Sequence, residues 1–277
     1  MAQHRFTVFL LAAATLAAAL SLASRDAAAG DDDNKKPKKV TILLDGVEER
    51  VFFNDGDSFR ILDGNRKGQK ARLVGFNTLE AYGPVHFWGD ANGWDLYRIN
   101  EKDTEFAKSE QWVCTSQGKV DGYGRILVVC PELRSRMIAE GYAHVYAYGD
   151  EEPDPELVTL MLKAQNERRG MWRFGIPEAI VTSVHSIDEK DPDDPLSGQR
   201  KESYNRMADT RTGKTYAVKH TALFKPCDVF CHSGSCMVYV PFELRFGDKR
   251  PACMKGKEGE RNKMDGPRHL HEPLEND

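Results

Sequence analysis

The chain has 277 residues, of which 40% are hydrophobic and 30% are charged, and its formal net charge is −4. A net negative charge argues against tight binding to duplex nucleic acid, because non-specific affinity for a polyanion depends on neutralising its phosphates. It does not exclude a nucleic-acid ligand, since a local basic cleft can focus its field within an acidic protein.

Residues 1–29 have the pattern of an export signal. An apolar run over residues 6–23 follows a weakly positive start, and residues 27–29 have the small-residue form of a cleavage site. We therefore predict a cleaved signal peptide and a secreted or periplasmic protein, with a membrane anchor as the alternative. Since residues 1–29 carry two Arg and one Asp, cleavage would change the formal net charge from −4 to −5. No second apolar run has the length of a membrane span, so we expect no anchor after cleavage.

The mature chain begins with short strand-like segments. Residues 30–39 form a polar leader that is predicted to be disordered. Strands are then predicted at residues 40–44, 48–53, 58–62 and 69–75. An Asp-Gly turn signal separates the first two. Such close-set β segments are typical of a small barrel or sandwich.

Helices follow the strands. They are predicted at residues 97–111, 131–140 and 155–169. A long hairpin lies between the first and second helices, and Trp172 is expected to close the barrel edge. The stretch at residues 186–202, rich in acidic residues, Pro, Ser and Gly, indicates a linker to a small disulfide-tied module.

Six cysteines in an exported chain indicate disulfides. Cys114 and Cys130 lie in two predicted strands joined by a Gly-containing segment, so we expect a bridge across this hairpin. The other four lie in one C-terminal segment: Cys227, Cys231, Cys236 and Cys253. They can pair among themselves in three ways, which the sequence leaves open. Zinc binding is the alternative, although their spacing is not a standard zinc pattern.

Two separated arginines and two acidic residues form the candidate site. Arg72 lies inside an apolar strand, where an unpaired charge is costly to bury. Glu80 follows in the loop that leaves this strand, and a buried Arg72–Glu80 salt bridge is the structural alternative. Asp57 and Arg125 lie in Gly-containing turns, where each could be an ordinary turn residue. Together, however, two arginines can clamp a phosphate, while the acidic groups and the amide of Asn77 can hold a hard cation and a water.

These residues carry a resemblance to a known family. Residues 40–172 resemble the thermonuclease, or staphylococcal nuclease-like (SNase-like), family in the order and spacing of four motifs: DGDS at 55–58, RLVGFNTLE at 72–80, DGYGR at 121–125 and GMW at 170–172. The resemblance implies an α+β fold with a five-stranded OB-fold β-barrel, about three helices and a small disulfide-rich C-terminal extension. The expected organisation is a signal peptide (1–29), a disordered leader (30–39), an SNase-like OB-fold nuclease domain (40–175), a linker (176–202), a Cys-rich extension (203–255) and a disordered tail (256–277).

The resemblance also implies calcium-dependent hydrolysis of phosphodiester bonds in DNA and RNA. Arg72 and Arg125 match the two phosphate-clamping arginines, and Glu80 matches the carboxylate that orients or deprotonates the attacking water. The positions that hold Ca2+ in the family are matched by Asp57, Asn77 and Thr78, the last through its backbone carbonyl. We expect a monomer that acts on single-stranded or locally melted DNA and RNA.

Asn77 departs from the family pattern, because active members usually have a second metal-binding Asp at this position. Asn retains an oxygen ligand but loses a full negative charge, which should weaken calcium binding. A catalytically weakened module that binds nucleic acid or protein is therefore the alternative function. A second choice also stays open: Tyr146 or Tyr148 could stack on a base or simply cover the barrel.

Overall fold

The computed structural model describes residues 40–189 and 201–255. The predicted signal peptide, the leader at 30–39 and the tail at 256–277 lie outside the described residues. So do residues 190–200 of the expected linker. In the part of the chain that is described, no helix combines the length and the apolar character needed to cross a membrane.

The structure contains fourteen strands and three α-helices within its described residues. In chain order, the strands are β1 Thr41–Leu44, β2 Val47–Asp55, β3 Ser58–Ile61, β4 Lys70–Leu73, β5 Gly75–Asn77, β6 His86–Trp88, β7 Trp112–Val120, β8 Ile126–Val129, β9 His144–Tyr146, β10 Ala179–Ser183, β11 Ser203–Asp209, β12 Thr215–His220, β13 Val229–His232 and β14 Ser235–Val238. The helices are α1 Gly93–Ala107, α2 Pro131–Ala139 and α3 Pro155–Asn166.

Six strands close into a barrel in the order β1–β2–β3–β4–β8–β7. The parallel pairing of β1 with β7 completes the ring, and β4 also pairs with β8 in parallel. The predicted α+β fold with an OB-like barrel and three helices is confirmed. The barrel has six strands rather than the five that the family resemblance implies, and the two strands on either side of the Asp45–Gly46 turn both take part in closure.

The barrel interior is filled by large apolar side chains. Along β2, Val51 and Phe53 are buried whereas Phe52, which lies between them, is 49% exposed, as the two-residue period of a strand requires. Phe53 packs edge-to-face on Phe59 of β3, with their ring centroids 5.6 Å apart. Trp172, in the 3₁₀ helix Gly170–Phe174, is fully buried in the same core.

Helix α1 begins four residues before the position predicted for it, because Asn92 caps its first turn. The Asn92 side chain accepts hydrogen bonds from the backbone N–H groups of Trp94 and Asp95, and the Asp95 carboxylate accepts one from the Asn92 backbone. This reciprocal arrangement satisfies N–H groups that have no partner within the helix.

All six cysteines form disulfides. The predicted bridge Cys114–Cys130 is confirmed, and it joins β7 to the residue that precedes α2. The remaining bridges are Cys227–Cys253 and Cys231–Cys236. The second of these spans the β13–β14 hairpin, in which the two cysteines are directly opposite each other. The zinc alternative is therefore wrong, since no thiolate is left among these residues.

The C-terminal extension (residues 203–255) shares both of its sheets with earlier parts of the chain. Strands β11 and β12 pair with β10, which lies in the segment expected to be a linker. Strand β14 pairs with β6, which directly follows the loop carrying Glu80. A second apolar core lies beneath these sheets and includes Tyr82 and Val85 of that loop.

We expect the Cys114–Cys130 bridge to contribute more stability than the shorter Cys231–Cys236 bridge. The first joins residues separated by 16 positions and the second by 5. Replacing both cysteines of a pair by Ala should lower the free energy of unfolding by about 3 kcal/mol for the first bridge and about 2 kcal/mol for the second, because the longer loop restricts the unfolded chain more. Urea denaturation of the oxidised proteins measures both losses in the free energy of unfolding. A larger loss for the Cys231–Cys236 pair than for the Cys114–Cys130 pair would contradict the expectation.

Candidate active site

The fold brings Arg72 and Arg125 close to the same carboxylate, that of Glu80. On β4, Ala71 and Leu73 are fully buried, so Arg72 between them points away from the interior. Arg72 lies opposite Leu127 of β8. Arg125 lies in the turn that leads into β8.

Arg72 is the centre of a hydrogen-bond network that contains all three predicted metal-site residues. Its Nη1 donates to Asp57 Oδ1, and its Nη2 donates to Asn77 Oδ1 at 2.5 Å. Asp57 Oδ2 accepts hydrogen bonds from the backbone N–H of Thr78 (2.8 Å) and from its hydroxyl (3.2 Å). The Asn77 amide donates to the Thr78 carbonyl oxygen at 2.7 Å. The Arg72–Glu80 salt bridge considered above is not formed, because Asp57 pairs with Arg72 instead.

Glu80 lies within the electrostatic reach of three arginines. Burial raises the pKa of its carboxyl, and Arg245, Arg72 and Arg125 each oppose that rise. Its backbone N–H donates to Nε2 of the buried His86 at 3.2 Å, which fixes the loop next to β6.

Arg125 is oriented by its own turn. Its Nε donates to Asp121 Oδ2 at 2.7 Å, and the second oxygen of Asp121 accepts the Arg125 backbone N–H at 2.9 Å. The guanidinium carbon is 5.5 Å from the centroid of the Tyr123 ring. The ion pair is partly exposed, so the head of Arg125 is held in position while it stays accessible to a ligand.

Comparison with known protein families gives a match over much of the barrel domain. Residues 70–174 match the family model described as the staphylococcal nuclease homologue. A comparison with curated proteins found no match. The SNase-like domain points to a nuclease-type function and a nucleic-acid substrate, and the matched residues include Arg72, Glu80 and Arg125.

The structure adds two buried acids to this SNase-like site. Burial, together with the charge of Asp57, raises the pKa of Asp55 to about 8. Asp103 of α1 also has a raised pKa, because it is buried and faces Asp55 and Asp57. Its approach requires Gly56, since a Cβ there would lie 2.7 Å from Asp103 Oδ1. The sequence pattern that could have identified Asp103 is its position on the apolar face of α1, seven residues after the buried Leu96.

The donor chemistry of the site fits a hard cation. Within residues 40–189 and 201–255, no group of three or more His, Cys, Asp and Glu side chains could hold a metal ion. Asp57, Asn77 and Thr78 nevertheless offer carboxylate, amide and carbonyl oxygens, which are the ligands that Ca2+ prefers. The neighbouring acids Asp55 and Asp103 repel Asp57 and one another, and a cation would offset that repulsion.

We expect His86 to make the protein less stable at mildly acidic pH. Burial, and to a smaller extent His144, lowers the pKa of His86 to about 3. Since the ordinary value is near 6.5, the stability from the neutral ring is complete above about pH 6.5 and is lost as the pH falls towards 3. In His86→Gln, whose amide oxygen can accept the Glu80 N–H, the loss between pH 7 and pH 4.5 should be smaller by about 1–3 kcal/mol.

Urea denaturation at the two pH values measures this difference. His185→Gln is the matched control, because His185 is only partly buried and its ring pairs with Glu189 rather than accepting the Glu80 backbone N–H. The free energy of unfolding of that variant should fall between pH 7 and pH 4.5 by nearly as much as that of the parent. An equal loss of stability in His86→Gln and the parent would contradict the assignment.

Proposed function

We propose that this chain is an exported, calcium-dependent nuclease that hydrolyses phosphodiester bonds in DNA and RNA. The observation that carries the proposal is that Arg72 and Arg125, from separate parts of the chain, both act electrostatically on Glu80. Three disulfides favour an oxidising compartment, which agrees with the predicted export signal. We further propose that the protein acts as a monomer on single-stranded or locally melted substrates.

The two arginines bind the phosphate and stabilise the charge that develops on its equatorial oxygens during in-line attack. A planar guanidinium can donate two parallel hydrogen bonds to phosphate oxygens, which an ammonium group cannot do in the same geometry. Arg72 is held by Asp57 and Asn77, and Arg125 by Asp121, so neither has to be ordered when the substrate binds.

Glu80 orients the attacking water and accepts its proton. The water oxygen forms the new bond to phosphorus, the bond to the ester oxygen of the leaving nucleotide breaks, and that oxygen takes up a proton. A carboxylate with a pKa raised by burial is a better proton acceptor than an ordinary one, which favours this role. The hydrogen bond from the Glu80 backbone to His86 keeps the residue in place.

Asp57, Asn77 and Thr78 would hold Ca2+ next to this water. When bound, the cation would polarise a phosphoryl oxygen and offset the developing negative charge. The three ligands are linked to Arg72 and to one another by hydrogen bonds, so their oxygens already lie close together.

We expect Glu80→Gln to lower the hydrolysis rate by about 100-fold or more, because the amide cannot accept a proton from water. The assay is release of acid-soluble nucleotides from single-stranded DNA, with calcium varied from trace to millimolar levels. Glu105→Gln, an exposed change of the same kind on α1, is the control and should retain full activity. Release that depends on calcium and survives in Glu80→Gln would contradict the assigned role.

The alternative is a catalytically weakened module that binds nucleic acid or protein. Asn77 favours it, because the Asn77 amide donates to the Thr78 carbonyl that would otherwise face a cation. The amide oxygen of Asn77 is also bonded to Arg72. If the folded protein releases no nucleotides at any calcium concentration, this alternative becomes the better account.

We expect Asn77→Asp to tighten calcium binding by about tenfold or more, equivalent to ~1.4 kcal/mol. The carboxylate adds a negative charge and cannot donate a hydrogen bond to the Thr78 carbonyl. Isothermal titration calorimetry measures the change without relying on activity. Asn65→Asp is the control, since it adds the same charge at an exposed turn. Equal affinities in Asn77→Asp and the parent would show that Asn77 does not limit calcium binding.

A further inference from the structure

The loop that carries Glu80, residues 78–85, is held in place by the C-terminal extension, which lies outside the SNase-like match. The Val238 backbone N–H donates to the Val85 carbonyl oxygen at 2.9 Å. Strand β14 continues this contact by pairing with β6, where Met237 lies opposite His86. The extension is therefore part of the structural support of the candidate active site.

A second contact reaches the middle of the same loop. A Cβ on Gly83 would lie only 2.8 Å from the methyl carbon of Met254, so the loop passes directly against this side chain. Met254 follows Cys253, whose disulfide to Cys227 ties this segment to the rest of the extension. The loop is thus enclosed by two separate parts of the extension.

Arg245 is the third contact, and it brings a positive charge. Its guanidinium carbon lies 4.5 Å from the centroid of the Tyr82 ring, two residues from Glu80. Among the described residues, the one hydrogen bond of its side chain runs from Nε to the Val240 carbonyl oxygen at 3.0 Å. A stacked ring and a carbonyl fix the position of the guanidinium but do not neutralise it.

The three arginines near Glu80 differ in how their charge is balanced. Arg72 pairs with Asp57 and Arg125 pairs with Asp121. By contrast, no carboxylate oxygen of residues 40–189 and 201–255 lies within 4.0 Å of a guanidinium nitrogen of Arg245. Burial lowers the pKa of Arg245, but the tyrosine beneath it and nearby acids, Glu80 included, raise it above its ordinary value, so the group stays charged.

Glu189 is another acid that acts on Arg245, but its Oε2 is already hydrogen-bonded to Nδ1 of His185 at 2.8 Å. A half-buried guanidinium that lacks a contacting anion has lost hydration without full compensation, which favours an anionic ligand. The remaining Nη groups of Arg245 are the donors that such a ligand would use.

We infer that Arg245 is a phosphate-binding residue for the nucleic-acid substrate, contributed by the C-terminal extension beside Glu80. The inference rests on the proposed function, because it takes the phosphodiester chain as the anion. Arg245 would bind a backbone phosphate next to the one held by Arg72 and Arg125. The site then extends beyond the SNase-like domain and needs the folded extension for full affinity.

Binding of a labelled single-stranded DNA oligonucleotide at fixed calcium tests this inference. The parent is the full chain with Glu80→Gln, which blocks the proposed hydrolysis. The dissociation constant is measured over a range of salt concentrations, because each phosphate contact to single-stranded DNA contributes about 0.7 to the slope of log K against log salt. Adding Arg245→Gln should weaken binding by about tenfold and reduce the slope by about 0.7.

Two further variants separate phosphate binding from a structural role. Arg245→Lys keeps the charge, so it should restore the slope while recovering only part of the affinity, because Lys lacks the planar fork. Lys249→Gln removes an exposed charge in the same segment and should change neither quantity. If Arg245→Gln binds with the parent's slope, the inference is overturned and Arg245 only packs on Tyr82. Absence of DNA binding by the parent would instead overturn the proposed nucleic-acid substrate.

Discussion

The candidate active site depends on one interaction, the neutralisation of the Arg72 charge in the wall of the barrel. Arg72 lies on a strand whose neighbouring side chains form the core, so its guanidinium can stay there only if anions or acceptors meet it. Asp57 provides the charge and Asn77 a neutral oxygen, while Thr78 fixes Asp57. The turn before β3 and the strands β4 and β5 are thereby joined at one point.

The same interaction gives a physical reason for Asn77. Asp55, Asp57, Glu80 and Asp103 already bring four acidic groups into a buried region, and the pKa values of Asp55, Glu80 and Asp103 are raised. A fifth carboxyl group would increase their mutual repulsion whenever no cation is bound. An amide at position 77 still accepts a hydrogen bond from Arg72 without adding charge. It therefore lowers the affinity for a cation but makes the metal-free fold more stable.

The C-terminal extension supports the candidate active site although it lies outside the family match. The family match ends at residue 174, yet β14 pairs with β6, and Met254 packs against the loop that carries Glu80. A loop of this kind has few backbone partners of its own, so neighbouring elements must fix it. The nuclease-type site and the extension therefore form one structural unit, and the Cys227–Cys253 disulfide anchors the segment whose Met254 contacts this loop.

Local patterns predicted much of the fold and most of the candidate site. Turn residues and strand alternation identified the six barrel strands, although the family resemblance suggested five. Pro131 and Pro155 marked the starts of α2 and α3. The predicted start of α1 was wrong because Asn92 caps the helix and Gly93 is its first residue, although glycine ordinarily disfavours a helix. Arg72, Glu80 and Arg125 could be recognised because they occur in short motifs.

The sequence alone determined the six barrel strands, the presence of three helices, the Cys114–Cys130 hairpin and the order of the motifs. These features arise from interactions between residues close together in the chain, and such interactions leave a readable pattern. Only the tertiary structure decided that Cys227 pairs with Cys253, that Asp103 faces Asp57, and that Arg245 stacks on Tyr82. Those contacts join distant segments, and no local spacing records them, because they exist only once the whole chain has packed.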